Sequence, residues 1–355
     1  MSEERYRELQ QRLDQYSMGF PAAESGIELK ILRRLFSLDD ADLFLSLTHQ
    51  LETPDSVACR LEKPVEEIAA RLDDMAERGI LFRLKKAEGS RYGAIPFVHG
   101  IFEFQVKSLD RELSEMVEQY FNEAFDKSMQ KGADFFLRPI PVQESIEAEH
   151  NVASYEDAVE ILKSKPSIVV TDCICRKRTG LLDQGCGKVM EACFMFGSMG
   201  QYYLDRGMGR EVSLDEAVNI LKECRDAGLV TQPATAQNPA GMCNCCRDCC
   251  GVLTALNKHP RPAEIVFSNY LARVDADACT GCEDCLDRCQ MEAIRMNDAD
   301  QAEVNPDRCI GCGLCVTTCL AEAMELVAKP RDKQRVPPAS MAEQMMLMAQ
   351  KRGVI

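Results

Sequence analysis

Cys279-x-x-Cys282-x-x-Cys285-x-x-x-Cys289 recurs downstream as Cys309-x-x-Cys312-x-x-Cys315-x-x-x-Cys319. Eight thiols in two identical spacings constrain this chain more than anything else in it. They belong to a total of 19 cysteines, of which all but Cys59 fall between Cys173 and Cys319. The opening Met1-Ser2-Glu3-Glu4-Arg5 leads into no apolar run, so no secretory signal is expected. Arg33-Arg34 is followed by Asp39, Asp40 and Asp42 where a twin-arginine signal needs apolar residues. No stretch of about 20 apolar residues is present, so no membrane span is expected. A reducing cytoplasm disfavours disulfides, and clustered cysteines then read as metal ligands. The 4 histidines stand at no ligand spacing from any cysteine group. All-thiolate donors favour iron–sulfur clusters or zinc.

The doubled motif resembles that of the bacterial two-cluster ferredoxins. In that family each Cys-x-x-Cys-x-x-Cys loop wraps three corners of a cubane and turns backbone N–H groups towards the sulfurs. The fourth cysteine starts a helix and serves the other cluster. The resemblance implies one [4Fe–4S] cluster on Cys279, Cys282, Cys285 and Cys319, and a second on Cys309, Cys312, Cys315 and Cys289. Gly281, Gly311 and Gly313 suit the sharp turns. Ala293-Ile294 and Ala323-Met324 occupy matching places after the two halves, as Val274 and Val304 do before the two loops. One departure is visible: the proline that follows the fourth cysteine in the family is Gln290 in one half and Leu320 in the other. It removes no ligand.

Nine further cysteines are candidate metal ligands: Cys173, Cys175, Cys186, Cys193, Cys243, Cys245, Cys246, Cys249 and Cys250. Their arrangement resembles a cysteine-rich region that precedes ferredoxin domains in iron–sulfur proteins of anaerobes. Nine thiols exceed the needs of one cubane, and the neighbours Cys245-Cys246 and Cys249-Cys250 cannot easily all face one metal. The expectation is at least one further Fe–S centre, with zinc as the alternative. Arg176, Lys177, Arg178 and Arg247 would offset its negative charge. Cys224 lies in phase with Ile220 and Leu221 and reads as core, and Cys59 reads as a buried structural thiol.

The fold class expected is multidomain α+β. Residues 1–26 form a helix and linker, and 27–107 a winged-helix-like module. A helical connector covers 108–150, a cysteine-rich α/β domain 151–270, the two-cluster ferredoxin domain 271–328, and a linker with a final helix 329–355. In the module, Thr53 caps one helix and Pro64 starts the next, with Ile68, Leu72 and Met75 inward and Gly79 as its stop. A hairpin follows, from Ile80–Leu84 to Tyr92–Val98. In the central domain, Ser154–Lys163 aligns without gaps on Ser213–Lys222, each with a capping serine and an acid three residues later. Each such helix leads through a short strand to a Cys-x-Cys, which points to two related halves whose thiolates meet in one shared metal site. Ser340 caps a last helix whose Met341, Met345 and Met348 face the rest of the chain.

With 57 acidic against 42 basic residues, the net charge is −15. Such a surface repels phosphate backbones and favours basic protein partners. The second helix of the module carries Glu66, Glu67, Asp73, Asp74 and Glu77 against Arg71 and Arg78, the wrong balance for a DNA-reading helix. No nucleotide loop, Ser/His/Asp set or dinucleotide fingerprint appears, so no self-contained catalytic site is visible. The sequence thus points to an iron–sulfur protein of an anaerobic cytoplasm that carries low-potential electrons to or from a partner oxidoreductase. The alternatives are a redox- or iron-sensing winged-helix regulator and an oxidoreductase that uses the central metal centre itself.

Overall fold

The computed structural model describes residues 2–129, 136–142 and 154–354; residues 130–135 and 143–153 of the expected connector lie outside them. Helices α1 (Ser2–Asp14), α2 (Ile27–Leu35), α3 (Leu38–Ser46), α4 (Pro54–Leu61) and α5 (Val65–Glu77) open the chain. A hairpin of β1 (Phe82–Lys86) and β2 (Gly89–Gly93) follows. Thr53 Oγ1 accepts from the Ser56 amide, as a cap should, and Gly79 ends the second helix at φ 77°. The first strand starts two residues later than expected, because Gly79, Ile80 and Leu81 are spent on leaving α5, and the second runs Gly89–Gly93 instead of Tyr92–Val98. Cys59 is exposed, not buried: α4 is short and turns only Val57 and Ala58 fully inward.

Helices α6 (Arg111–Tyr120) and α7 (Asp126–Met129), joined through a π-helical turn at Phe121–Phe125, lead to the central segment. There α8 (Ala158–Lys163), β3 (Ile168–Asp172), α9 (Ile174–Leu181), β4 (Glu191–Phe196), α10 (Gly197–Asp205), β5 (Arg210–Val212), α11 (Leu214–Asp226), β6 (Val230–Pro233), β7 (Gly241–Cys245), α12 (Gly251–Lys258) and α13 (Pro262–Ile265) follow in order. The five strands form one sheet, β5-β3-β4-β7-β6, and every pairing in it is antiparallel. An α/β arrangement would have needed parallel strands.

Strand alternation puts the sheet between two cores. Val169 faces the core that runs from Tyr6 through Phe44, Phe125 and Leu253 to Met348, whereas Ile168, Val170, Phe194 and Met242 face a smaller core with Ile161 and Leu221. Phe194 is fully buried at the centre of β4. Phe194→Ala should therefore destabilise the fold by about 3–5 kcal/mol in denaturant unfolding, and a loss under about 1 kcal/mol would contradict this packing.

The two aligned helices differ in detail. Ser213 caps α11 by accepting from Glu216 N, but α8 is capped by Asp157, which accepts from Val159 and Glu160, while Ser154 sits in a 3-10 turn. The first Cys-x-Cys enters a helix, with Cys173 as the cap of α9, whereas Cys243 and Cys245 lie inside strand β7.

The C-terminal segment contains β8 (Tyr270–Val274), α14 (Asp284–Arg288), β9 (Ile294–Met296), β10 (Ala302–Val304) and β11 (Met324–Ala328), with β8 paired to β11 and β9 to β10. The last helix, α15 (Met341–Lys351), is capped by Ser340 and buries Met348 fully. No helix among the described residues is long and apolar enough to cross a membrane.

Candidate metal centres

The eight cysteines of the doubled motif line two cavities. One is walled by Cys279, Cys282, Cys285 and Cys319, the other by Cys289, Cys309, Cys312 and Cys315. The geometry is thus the crossed one. Left-handed turns bring each triplet round: Gly281, Gly311 and Gly313 have φ of 72°, 68° and 75°. A Cβ on Gly281 would lie 2.5 Å from the Asp300 carbonyl oxygen, and one on Gly311 would collide with that of Tyr270. Cys289 and Cys319 each follow a short helical turn, Asp284–Arg288 and Val316–Thr318, instead of starting a helix. The chain after each must bend at once into β9 or β11.

The donor set fits a [4Fe–4S] cluster in both cavities. Each offers four thiols, and backbone amides approach the sulfurs: Ala302 N lies 3.4 Å from Cys279 Sγ, Ala272 N 3.3 Å from Cys309 Sγ and Ala293 N 3.2 Å from Cys289 Sγ. Burial pushes the Cys285 thiol up to about 11 and that of Cys312 up to about 12, so loading with metal must release protons. Cys282 is exposed, which leaves its cavity nearer the surface than the other.

Residues 272–326 match the 4Fe-4S dicluster domain family. No curated protein and no solved structure matches the chain. The dicluster domain accounts for the C-terminal cysteines and leaves the central ones to be read from geometry.

The nine central candidates separate into six and three. Six form a closed ring of neighbouring thiols: Cys173 touches Cys175 and Cys193, Cys193 touches Cys243, Cys243 touches Cys245, and Cys250 joins Cys245 back to Cys175. Five elements or their edges supply it. Cys173 and Cys175 come from the β3–α9 junction, Cys193 and Cys243 are cross-strand partners on β4 and β7, Cys245 ends β7 and Cys250 caps α12. Hydrogen bonds from Cys175 and then Cys193 hold the Cys173 thiol down, and those from Cys175 and Cys245 do the same for Cys250. The ring lines a cavity of about 50 Å³ that His99, Glu103 and Tyr203 also wall. Cys186, Cys246 and Cys249 form the other group, their sulfurs all within 4.8 Å of one another.

The split follows from chain direction. Successive residues at the end of an extended strand point to opposite sides. Cys245 accordingly faces the larger core and the ring while Cys246 faces the smaller one, and in the turn before α12 Cys250 and Cys249 divide in the same way. Arg176, only 2% exposed, donates to the Asn244 carbonyl at 2.6 Å and lies near Cys173 and Cys193 of the ring and near Cys246 of the triplet. Cys224 is fully buried outside both groups, and burial pushes its thiol up to about 12.

Several residues here carry no sequence signal. His99, with φ 61° and an unpartnered Nδ1, stands beside Glu103 in the ring cavity. Burial pushes the Glu103 carboxyl up to about 8 and the His99 imidazole down to about 4; the accessible surface they retain is cavity wall. Gln290, in the place of the family proline, is buried, and its Oε1 accepts from Arg247 N at 2.9 Å.

Proposed function

We propose that the chain is an iron–sulfur electron-transfer protein of an anaerobic cytoplasm, moving single low-potential electrons between a partner oxidoreductase and a further Fe–S centre on its own ring of six thiols. The observation that carries this reading is the pair of crossed four-thiol cavities within the segment that matches the dicluster family. A [4Fe–4S] cluster takes up or releases one electron at a potential set by net charge, hydrogen bonds and burial. The chain supplies the rest: amides on the sulfurs, an exposed side at Cys282, and a link inward.

That link is the departure from the family pattern. Gln290 follows the ligand Cys289 and accepts from the amide of Arg247, two residues beyond Cys245 of the ring; Asn257 Nδ2 donates to the Gln290 carbonyl at 2.7 Å. A hydrogen-bonded bridge couples two redox sites better than an equal width of open space. Proline has no side-chain acceptor and could not make it. Gln290→Leu should keep the full iron content of the C-terminal domain and slow reduction of the central centre when electrons are delivered through that domain. Equal rates in variant and native protein would remove Gln290 from the route.

The docking face would be the one around Cys282. Asp275, Asp277, Glu283, Asp284 and Asp287 are exposed there, and Leu320, beside Cys319, is 92% exposed. Acidic charge round an apolar contact suits a basic partner, whose association slows as salt rises. The reading is tested by anaerobic reduction with dithionite, followed by oxidation with a basic haem protein at increasing ionic strength. Reversible reduction and a steep fall in rate with salt are expected. Stoichiometric zinc without iron in the C-terminal domain would sink it.

One observation favours a second reading, an oxidoreductase that acts on a small molecule at the central centre. Next to the ring cavity lies another of about 70 Å³, apolar and sharing His99, Glu103, Tyr203 and Cys243 with it. A carboxyl that keeps its proton at neutral pH beside a thiolate centre is what a proton-coupled reduction needs. Carbon monoxide that alters the spectrum of the central centre in native protein, but not the C-terminal signals, would favour this reading. The winged-helix regulator gains no such support: Arg71 of α5 donates to the Asp39 carbonyl, Arg78 at its end pairs with Asp40 and Asp74, and Arg83 of β1 pairs with Asp73 and Glu77, so α5 and its flank offer little free positive charge.

A further inference from the structure

Sulfur spacing separates the triplet from every other thiol group in the chain. Four thiolates on one tetrahedral zinc, each about 2.3 Å from the metal, lie about 3.8 Å apart. Thiolates on a cubane bind different irons and stand further from one another. The two ferredoxin cavities show the wider spacing: among the described residues, no three of their eight cysteines bring their sulfurs within 4.8 Å of one another, and no three of the ring do so either. Cys186, Cys246 and Cys249 do, and Cys186 Sγ lies 3.8 Å from Cys246 Sγ.

We propose that Cys186, Cys246 and Cys249 form a separate mononuclear site that binds one Zn²⁺ through three thiolates and leaves its fourth corner to solvent. Among the described residues no histidine or carboxylate joins the three within the same distance. Cys186 is half-buried, so solvent reaches that corner, while Cys246 and Cys249 are each 1% exposed.

The surroundings are built for an anionic metal site. Thr179 Oγ1 donates to Cys249 Sγ at 3.0 Å, an outer contact of the kind that orients a ligand. Lys188 pairs with Asp248 at 3.1 Å and so pins the Cys186 loop over the Cys246–Cys249 turn. Three thiolates and one Zn²⁺ carry a net −1. Arg176, 2% exposed, brings positive charge near Cys246, and its Nε and Nη1 have no hydrogen-bond partner, whereas Arg178, 4% exposed, already pairs with Glu118 at 3.1 Å. Buried guanidinium groups with idle donors are costly unless an anionic group lies close by. The site stands whatever the ring of six thiols holds, since the two share no cysteine.

The test uses full-length protein purified without oxygen, with zinc, iron and sulfide measured together. About one zinc per chain is expected, and Cys186→Ala should lower it at least about tenfold with iron and sulfide unchanged. Zinc absent from the native protein, or retained by Cys186→Ala, overturns the site. Iron and sulfide lost together in that variant would place Cys186 on a cluster and also overturn it. Zinc-edge X-ray absorption of the native protein checks the ligand set without a variant. Three sulfurs at about 2.3 Å and one light atom at about 2.0 Å support it, and four sulfurs or light atoms alone do not.

Discussion

Cys289→Ala is expected to remove about four irons from the protein, and the cluster lost is the one on Cys309, Cys312 and Cys315. Spacing alone would group Cys289 with Cys285, four residues before it. The fold does otherwise. Cys289 stands at the end of α14, walls the second cavity and takes the Ala293 amide at 3.2 Å, while Cys319 crosses back to the first. Burial raises the thiols of Cys309, Cys312 and Cys315, with the neighbouring thiols adding to it. A cavity that loses one of four donors therefore keeps three that prefer to stay protonated. The check is a comparison of three variants by iron content and low-temperature EPR of the reduced protein. The signal left in Cys289→Ala should match that of Cys312→Ala and differ from that of Cys282→Ala. The opposite match would mean uncrossed ligation.

The C-terminal site was legible because its determinants are local. Three thiols at every third residue, with glycine where the turn needs positive φ, specify a loop before any tertiary contact is known. The crossing was implied by the resemblance to the two-cluster ferredoxins, not by the spacing itself. The central site is different in kind. Its ring draws on two Cys-x-Cys pairs, on Cys250 and on Cys193, and strand β4, which carries Cys193, has no alternating pattern to announce it. The cross-strand pairing of Cys193 with Cys243 is a tertiary fact. A repeat in sequence likewise suggested two equivalent halves. Yet the first pair sits at the β3–α9 junction and the second inside strand β7, so the two Cys-x-Cys segments approach the ring differently.

What the sequence did contain was the awkwardness of adjacent cysteines. Cys245-Cys246 and Cys249-Cys250 could not all serve one metal, and the end of β7 and the turn before α12 resolve this by sending one of each pair to either core. His99, Glu103 and Tyr203 had no comparable signal. They reach the ring cavity from outside the central segment or from α10, through packing alone. Gln290 was visible only as a missing proline, and its bond to Arg247 gives that absence a physical reason.

The second large effect concerns that ring. Cys175→Ala or Cys245→Ala should each cost the full-length protein about four irons and leave the C-terminal EPR signals unchanged, since a cubane holds four. Cys175 is the ring's only bridge between Cys173 and Cys250 on the helical side, and Cys245 bridges Cys243 and Cys250 on the sheet side. Removing either opens the ring, and removing Cys245 also takes one of the thiols that face the buried charge of Arg176. Cys224→Ala is the control. That thiol is as buried as those of the ring but lies outside it, so this change should leave every iron in place. Iron content unchanged in both ring variants would mean that the six thiols hold no cluster. Loss of C-terminal signals together with the central ones would mean that the two centres cannot assemble separately.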